Sequence, residues 1–122
     1  MKKTVLLYNF EDNEKAAAKR ALLPLHTAVK EVTDEEMYLP VGFLAGMIKD
    51  NDKRDFHAEK SGRLVVMGGF SGSDIDRLLA AMRKAGFGRD VLKAVITPTN
   101  AVWCGPELYS EIYKEHRQMG GK

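Results

Sequence analysis

The sequence predicts an α/β fold: a small four-stranded, mostly parallel sheet with helices on both faces, in the order βαβ(α)βαβα. Short apolar runs alternate with segments of helical periodicity, and three of the four runs lack the apolar–polar alternation of a half-exposed strand. Three runs end in small polar loops that open a helix. If those strands are parallel, the three loops meet at one edge of the sheet, where open α/β sheets bind ligands.

The first part of the chain predicts a strand, a helix and a second strand. Thr4–Phe10 is bulky and continuous, so both faces of this strand should be covered. Asp12 stands at the predicted N-cap of a helix over Asn13–Leu23, and Pro24 ends that helix because a proline removes the hydrogen bond of the preceding turn. Thr27–Val32 carries two charged side chains, which suits an edge strand. The predicted buried stripe of the helix comprises Ala17, Ala21 and Leu22, with Ala18 and Leu25 beside them.

The middle of the chain predicts a short helix followed by a charged loop. Apolar side chains recur with helical spacing up to Ile48, and residues 49–62 carry eight charged side chains, as expected of a mobile surface loop. The helix either packs closely on the sheet, which we favour, or forms a partner or homodimer face. The residues of that interface hypothesis are Tyr38, Phe43, Leu44 and Met47.

The second half predicts another strand–helix–strand unit and a final helix. Arg63–Met67 is the third strand, and Ser73 is the predicted N-cap of the next helix, with an aspartate three residues later as in a capping box. Gly86 supplies a left-handed stop, Leu92–Ile96 is the fourth strand, and Pro106 fits the first turn of the last helix.

The two halves of the chain resemble each other. With Phe10 laid over Phe70, strand, loop and helix superpose in order, and Leu22 falls on Met82. Two folds fit this pattern: a doubly wound parallel sheet that uses residues 33–62 as a crossover, or a ferredoxin-like α+β sandwich with a hairpin there and one bare sheet face. We prefer the parallel sheet because most of its strands lack alternation.

Composition restricts the classes of protein that the chain can represent. Its 122 residues predict a single domain over residues 1–119, with 120–122 as a disordered tail. A net charge of +2, from 19 basic and 17 acidic residues, gives no reason to expect nucleic acid or a membrane as partner. The single Cys104 and three scattered histidines predict no disulfide, metal or cofactor. Because no apolar stretch approaches the ~20 residues that span a bilayer, we expect a cytoplasmic protein.

Two loops are the candidate ligand-binding segments. Small residues in Gly68–Ser73 can aim backbone N–H groups at an anion, although a tight turn with an N-cap explains them too. Thr97–Cys104 offers hydroxyls, an amide and an indole to a small polar ligand, unless the polar groups only close their own turn. The hypothetical site comprises Asn9, Gly68, Gly69, Ser71, Gly72, Ser73, Thr97, Thr99, Asn100 and Trp103.

No complete catalytic, metal-binding or nucleotide-binding motif occurs in the sequence. We therefore expect a non-enzymatic binding or regulatory module for a small polar or anionic ligand or a protein partner. One alternative is an enzyme for a phosphorylated or nucleotide-like substrate, with Asp12 or Asp74 as base or metal ligand. A second alternative is a homodimeric interaction adaptor, and the sequence leaves monomer and homodimer both open.

Three segments carry a family resemblance: LLYNF at Leu6–Phe10, LPVGFLAG at Leu39–Gly46 and LKAVITPTN at Leu92–Asn100. From about Val5 to His116, the chain resembles a group of small bacterial proteins classified as domain-of-unknown-function family 3783. The resemblance implies a stand-alone bacterial cytosolic protein, and it implies no reaction, cofactor or catalytic residue.

Overall fold

The computed structural model describes residues 2–57 and 62–120, with side chains described as far as residue 115. Two single 3₁₀ turns, Leu23–Leu25 and Asp34–Glu36, flank the second strand. The strands and helices, in chain order, are β1 (Thr4–Tyr8), α1 (Asp12–Leu22), β2 (Ala28–Glu31), α2 (Val41–Leu44), β3 (Leu64–Gly68), α3 (Gly72–Lys84), β4 (Leu92–Val95) and α4 (Gly105–Gly120).

The four strands form one mixed sheet in the order β2-β1-β3-β4. The pairs β1–β2 and β3–β4 are parallel, as predicted, whereas the central pair β1–β3 is antiparallel. The predicted α/β class and mostly parallel sheet are therefore confirmed. The ferredoxin-like alternative is wrong because β2 and β3 are not neighbours and both outer pairs are parallel.

The central strand pair relates the two halves by a pseudo-twofold axis. Leu6 pairs with Val66, its own equivalent when Phe10 is laid over Phe70. On either side, Thr4 pairs with Gly68 and Tyr8 with Leu64, so the pairing is symmetric about the central residue pair. The internal resemblance read from the sequence thus corresponds to two strand–helix–strand units placed side by side, their first strands antiparallel.

Each face of the sheet carries its own apolar core. β1 and β3 are buried along their whole lengths, since alternate side chains point into opposite cores. On one face α1 and α3 pack against each other, and on the other face α2 and α4 cover the sheet. The first core includes Val5, Leu7, Leu22, Val65, Met67, Leu78 and Met82, and the second includes Leu6, Tyr8, Val41, Leu64, Val66, Leu92 and Leu108.

Both predicted N-caps are displaced by one or two residues. The N-cap of α1 is Glu11 rather than Asp12, and its backbone N–H donates to Oε1 of Glu14 at 2.9 Å. The N-cap of α3 is Ser71 rather than Ser73. In each case the residue three positions on returns a carboxylate to the cap, which satisfies a backbone N–H that the helix leaves unpaired. The predicted stop at Gly86 is confirmed by its φ of +98°.

The middle segment packs on the sheet with less helix than predicted. α2 spans only Val41–Leu44 and ends before Gly46, whose φ of +78° lies in the left-handed region. Residues 49–57 contain no helix or strand, and residues 58–61 of the predicted mobile loop lie outside the described residues. At the C-terminus α4 continues to Gly120, so only residues 121–122 of the predicted tail remain, also outside the description.

Candidate functional site

Strand direction separates the residues of the predicted ligand site. β3 and β4 run the same way, so Gly69 and Thr97 follow their strands at one edge of the sheet, as expected. β1 runs the opposite way, and Asn9 therefore lies at the other edge. The predicted meeting of all three loops is wrong for Asn9, because the pseudo-twofold axis orients the first unit antiparallel to the second.

The Gly68–Ser73 loop surrounds a carboxylate that belongs to the chain itself. Oδ2 of Asp74 accepts the Ser71 backbone N–H at 2.9 Å, and Nζ of Lys3 contacts Oδ1 at 3.1 Å. Hydrogen bonds from the Ser71 backbone and side chain, followed by Lys3, lower the pKa of Asp74 to about 2. An incoming anion would meet a negative charge in this place, which weakens the case for anion binding by this loop.

The Thr97–Trp103 loop closes on its own polar groups. The Thr97 backbone N–H donates to Oδ1 of Asn100 at 2.8 Å, and the Asn100 backbone N–H donates to Oγ1 of Thr97 at 3.1 Å. Nδ2 of Asn100 donates to the Val95 carbonyl at 3.1 Å, which ties the loop to β4. Thr99 is exposed, and Trp103 is half-buried against the second core. These contacts match a self-satisfied turn, while a role in ligand binding stays a prediction.

The candidate catalytic groups of the enzyme hypothesis do not form a constellation. Asp12 and Asp74 occupy the first turns of α1 and α3, which begin at opposite edges of the sheet because β1 and β3 are antiparallel. Asp12 is exposed and contacts Nζ of Lys15 at 3.5 Å. Cys104 is fully buried, and burial raises the pKa of its thiol to about 12, so the thiol stays protonated near neutral pH.

Cys104 takes part in a tightly packed contact between α4 and β1. Its backbone N–H donates to Oε1 of Glu107 at 3.1 Å, and the same oxygen accepts Nε of Arg54 at 2.7 Å. The ring of Tyr8 lies against Gly105, where no side chain has room. The Tyr8 hydroxyl is buried with no hydrogen-bond partner among residues 2–57 and 62–115, and burial raises its pKa. The sequence carries no direct signal of this arrangement.

The structure reveals an open groove between α1 and α3 that the sequence interpretation missed. Its volume is about 530 Å³. Ala18 and Leu22 of the predicted stripe are indeed buried, but Ala17 and Ala21 lie on the groove surface. Ala21 and Ala81 are equivalent under the pseudo-twofold superposition, so the axis passes between these two residues, through the groove. The lining consists of Ala17, Arg20, Ala21, Pro24, Leu25, Ala81, Lys84 and Ala85.

A second cavity, of about 710 Å³ and mainly polar, lies at the edge where Asn9 is found. Arg63 occupies its wall and forms ion pairs with Glu14 and Asp90. Nδ2 of Asn9 donates to the Gly62 carbonyl at 3.0 Å, and the Asn9 backbone has a φ of +64°. The charged groups here are largely used to hold β3 against α1 and the turn before β4.

The predicted interface segment is used mainly for packing. Val41 is fully buried and Gly42 approaches Ala101 so closely that a Cβ would clash with it. Leu44 and Met47 pack against the second core. Tyr38 and Phe43 are half-buried. The segment therefore lies on the sheet, as favoured above, and its role in a partner interface stays a prediction.

The fold defines a small α/β protein built from two pseudo-symmetric units. The family model described as "Domain of unknown function (DUF3783)" matches residues 63–119, which comprise β3, α3, β4 and most of α4. The second unit is thus similar to this family, and the predicted resemblance is confirmed there. From Val5 to the start of the match, the resemblance stays a prediction.

Neither the search of curated proteins nor the search of solved structures found a match. Across the described ranges, no helix is both long enough and apolar enough to cross a membrane. Within those same ranges, no three His, Cys, Asp or Glu side chains are grouped so that they could hold a metal ion.

Proposed function

We propose that this protein is a non-catalytic binding module that holds a segment of a protein partner in the groove between α1 and α3. One observation carries the proposal: the groove is open and mainly apolar, and the charged side chains on its rim have no ion-pair partner among residues 2–57 and 62–115. Four alanines line the groove, and the side chains of Arg20 and Lys84 lie beside them. Grooves of this size, within the ~300–1,000 Å³ range of ligand sites, bind by excluding water from apolar surface.

The alanines explain why a partner, rather than the protein itself, fills this space. The side chains that point inward from the same helices, Leu22, Leu78 and Met82, are large and fully buried. In the middle of the groove α1 and α3 present alanine methyl groups, so the space between the two helices is filled next to the sheet and open toward the solvent.

The enzyme alternative receives less support. Asp74 is engaged as a helix cap and in an ion pair with Lys3, and Asp12 lies at the opposite edge of the sheet. The thiol of Cys104 is buried and protonated. A nucleophile has to reach its substrate in the ionised state, and the Cys104 thiol does neither, while the two aspartates lie too far apart to act together.

A small polar ligand at the edge formed by Gly68–Ser73 and Thr97–Trp103 is the second candidate function. Its support is the shared edge of the two loops, which follows from the parallel pairing of β3 and β4. A thermal-shift screen against phosphorylated metabolites and nucleotides tests it. A ligand present at a hundred times its Kd stabilises the protein by about 2.7 kcal/mol. A specific hit that shifts NMR signals of these loops, and not of the groove, would favour this candidate over ours.

The homodimer alternative uses the segment from Tyr38 to Met47. Because that segment already covers the second core, little apolar surface remains on it for another copy. Sedimentation at micromolar concentration separates the cases: a monomer would argue against the adaptor hypothesis.

The test of the proposed function is an NMR titration with two amphipathic helical peptides. Both peptides share one alanine- and leucine-rich face, and their polar faces are acidic in one and basic in the other. We expect at least one peptide to shift amide signals of α1 and α3. Ala85→Tyr should block the groove and abolish the shift, because Ala85 is an exposed lining residue.

The matched control is Ala16→Tyr, which adds the same ring to an exposed position of α1 that does not line the groove. This variant should bind as the wild type does. Failure of both peptides to shift groove signals, or equal binding by both variants, would overturn the proposed function.

A further inference from the structure

We infer that the partner segment is an acidic amphipathic α-helix. The inference rests on the proposed function and adds the chemistry of the partner. Two long cationic side chains line the groove, Arg20 on α1 and Lys84 on α3, and a third, Arg77 on α3, lines a small neighbouring cavity that shares Leu25 with the groove. All three are exposed.

The described part of the chain supplies no counter-ion for these three cations. In residues 2–57 and 62–115, no carboxylate forms an ion pair with the side chain of Arg20, Arg77 or Lys84. Neighbouring charges are paired elsewhere: Lys19 contacts Glu31 on β2, and Asp74 contacts Lys3. The groove therefore presents apolar methyl groups between positively charged side chains, and a partner that carries carboxylates is complementary to it.

Helical backbone in the partner follows from the walls of the groove. α1 and α3 use their own backbone N–H and C=O groups in intrahelical hydrogen bonds, so they offer none to an extended peptide. A helix brings its backbone hydrogen bonds with it and needs only side-chain contact. Alanine at Ala17, Ala21, Ala81 and Ala85 permits the close approach of a third helix, which would complete a three-helix layer on this face of the sheet.

The partner helix is thus expected to carry small or medium apolar residues at i, i+3, i+4 and i+7, and Asp or Glu on both flanks of that stripe. The flanking carboxylates would reach Arg20 on the α1 wall and Lys84 on the α3 wall. Each such pair is partly exposed, so the affinity should fall as salt rises.

The experiment compares the acidic and basic peptides described above by fluorescence anisotropy with the full chain. We expect the acidic peptide to bind at least tenfold more tightly than the basic one at 50 mM salt, and the difference to shrink at 500 mM salt. The double variant Arg20→Glu/Lys84→Glu should reverse the preference. Lys49→Glu/Lys53→Glu, the matched control, changes the net charge equally at exposed positions beside the other face and should keep it.

The outcomes separate the inference from the proposed function. Equal affinity for both peptides overturns the acidic partner and leaves the groove as a binding site. Binding of neither overturns both. If the protein binds phosphatidylglycerol vesicles more tightly than the acidic peptide, and the groove double variant loses this binding, the ligand is an anionic lipid surface and not a helix. If the wild type self-associates in sedimentation and the double variant does not, the occupant of the groove is a second copy of the chain and not an acidic helix. Thermal unfolding of every variant confirms that each one is folded.

Discussion

The contact between Tyr8 and Gly105 provides a sharp test of the described packing. An alanine Cβ at Gly105 would lie 2.5 Å from Cζ and 2.7 Å from Cδ2 of Tyr8. Carbon atoms in contact are normally about 3.5–4.0 Å apart. Tyr8 is 1% exposed and belongs to the second core, so its ring cannot move into solvent. Gly105→Ala must therefore displace either the ring or the start of α4.

The expected cost follows from these distances. One methyl group forced into a well-packed core destabilises a protein by about 1–3 kcal/mol. Replacing glycine in a helix by alanine recovers up to ~1 kcal/mol, but less in the first turn, where Gly105 lies. We expect Gly105→Ala to lower the free energy of unfolding by about 1–2 kcal/mol, which corresponds to a fall in Tm of roughly 5–10 °C.

The matched control is Gly72→Ala, since Gly72 is likewise the first residue of a helix and a Cβ there meets nothing within 4 Å. It should be neutral or stabilise the fold by up to ~1 kcal/mol. Urea denaturation measures both variants, and Tyr8→Leu should reduce the cost of Gly105→Ala in a double-mutant cycle. If Gly105→Ala is as stable as Gly72→Ala, the described contact of α4 with β1 is incorrect.

Three further predictions follow from the titratable and buried groups. Tyr8→Phe should raise the unfolding free energy by about 1 kcal/mol in urea denaturation, because it removes a buried hydroxyl that has no described partner; a loss of stability would imply an undetected hydrogen bond. The pKa of Asp74 lies at about 2 in the folded state against a usual 3.8, so the ionised carboxylate stabilises the fold fully above pH ~4, and this stabilisation is lost as the pH falls through about 2. Asp74→Asn should therefore make the free energy of unfolding in urea depend less on pH between pH 2 and 5. An unchanged pH dependence would contradict this. Cys104 should react with a thiol reagent only as fast as the protein opens, so rapid labelling of the folded protein would contradict its burial.

The sequence was sufficient for the class of fold but not for strand direction. Continuous apolar runs such as Thr4–Phe10 indicate a strand covered on both faces, and this holds whichever way the strand runs. The direction of β1 relative to β3 is decided by how two similar units pack, which is a long-range property. For that reason Asn9 was grouped with the wrong loops, whereas Gly69 and Thr97 were grouped correctly.

Local chemistry was ambiguous where two residues met the same rule. Ser71 and Ser73 are each followed three positions later by an aspartate, so both fit a capping box. The structure favours Ser71, whose partner Asp74 also contacts Lys3. The groove could not be predicted from the sequence for a similar reason. Alanine is equally compatible with a buried helix face and with a shallow exposed surface, so the sequence does not distinguish Ala17 and Ala21 from the buried Ala18.

The symmetric pairing of Leu6 with Val66 also affects how the chain folds during synthesis. The first unit leaves the ribosome with one side of β1 unpaired, and the five buried residues of β1 stay without their β3 neighbours until β3 has been made. Closing that gap requires contacts between residues distant in sequence, which slows folding. The protein is consequently most prone to aggregate while only its N-terminal half has been synthesised, and we expect chaperones to bind mainly to that half.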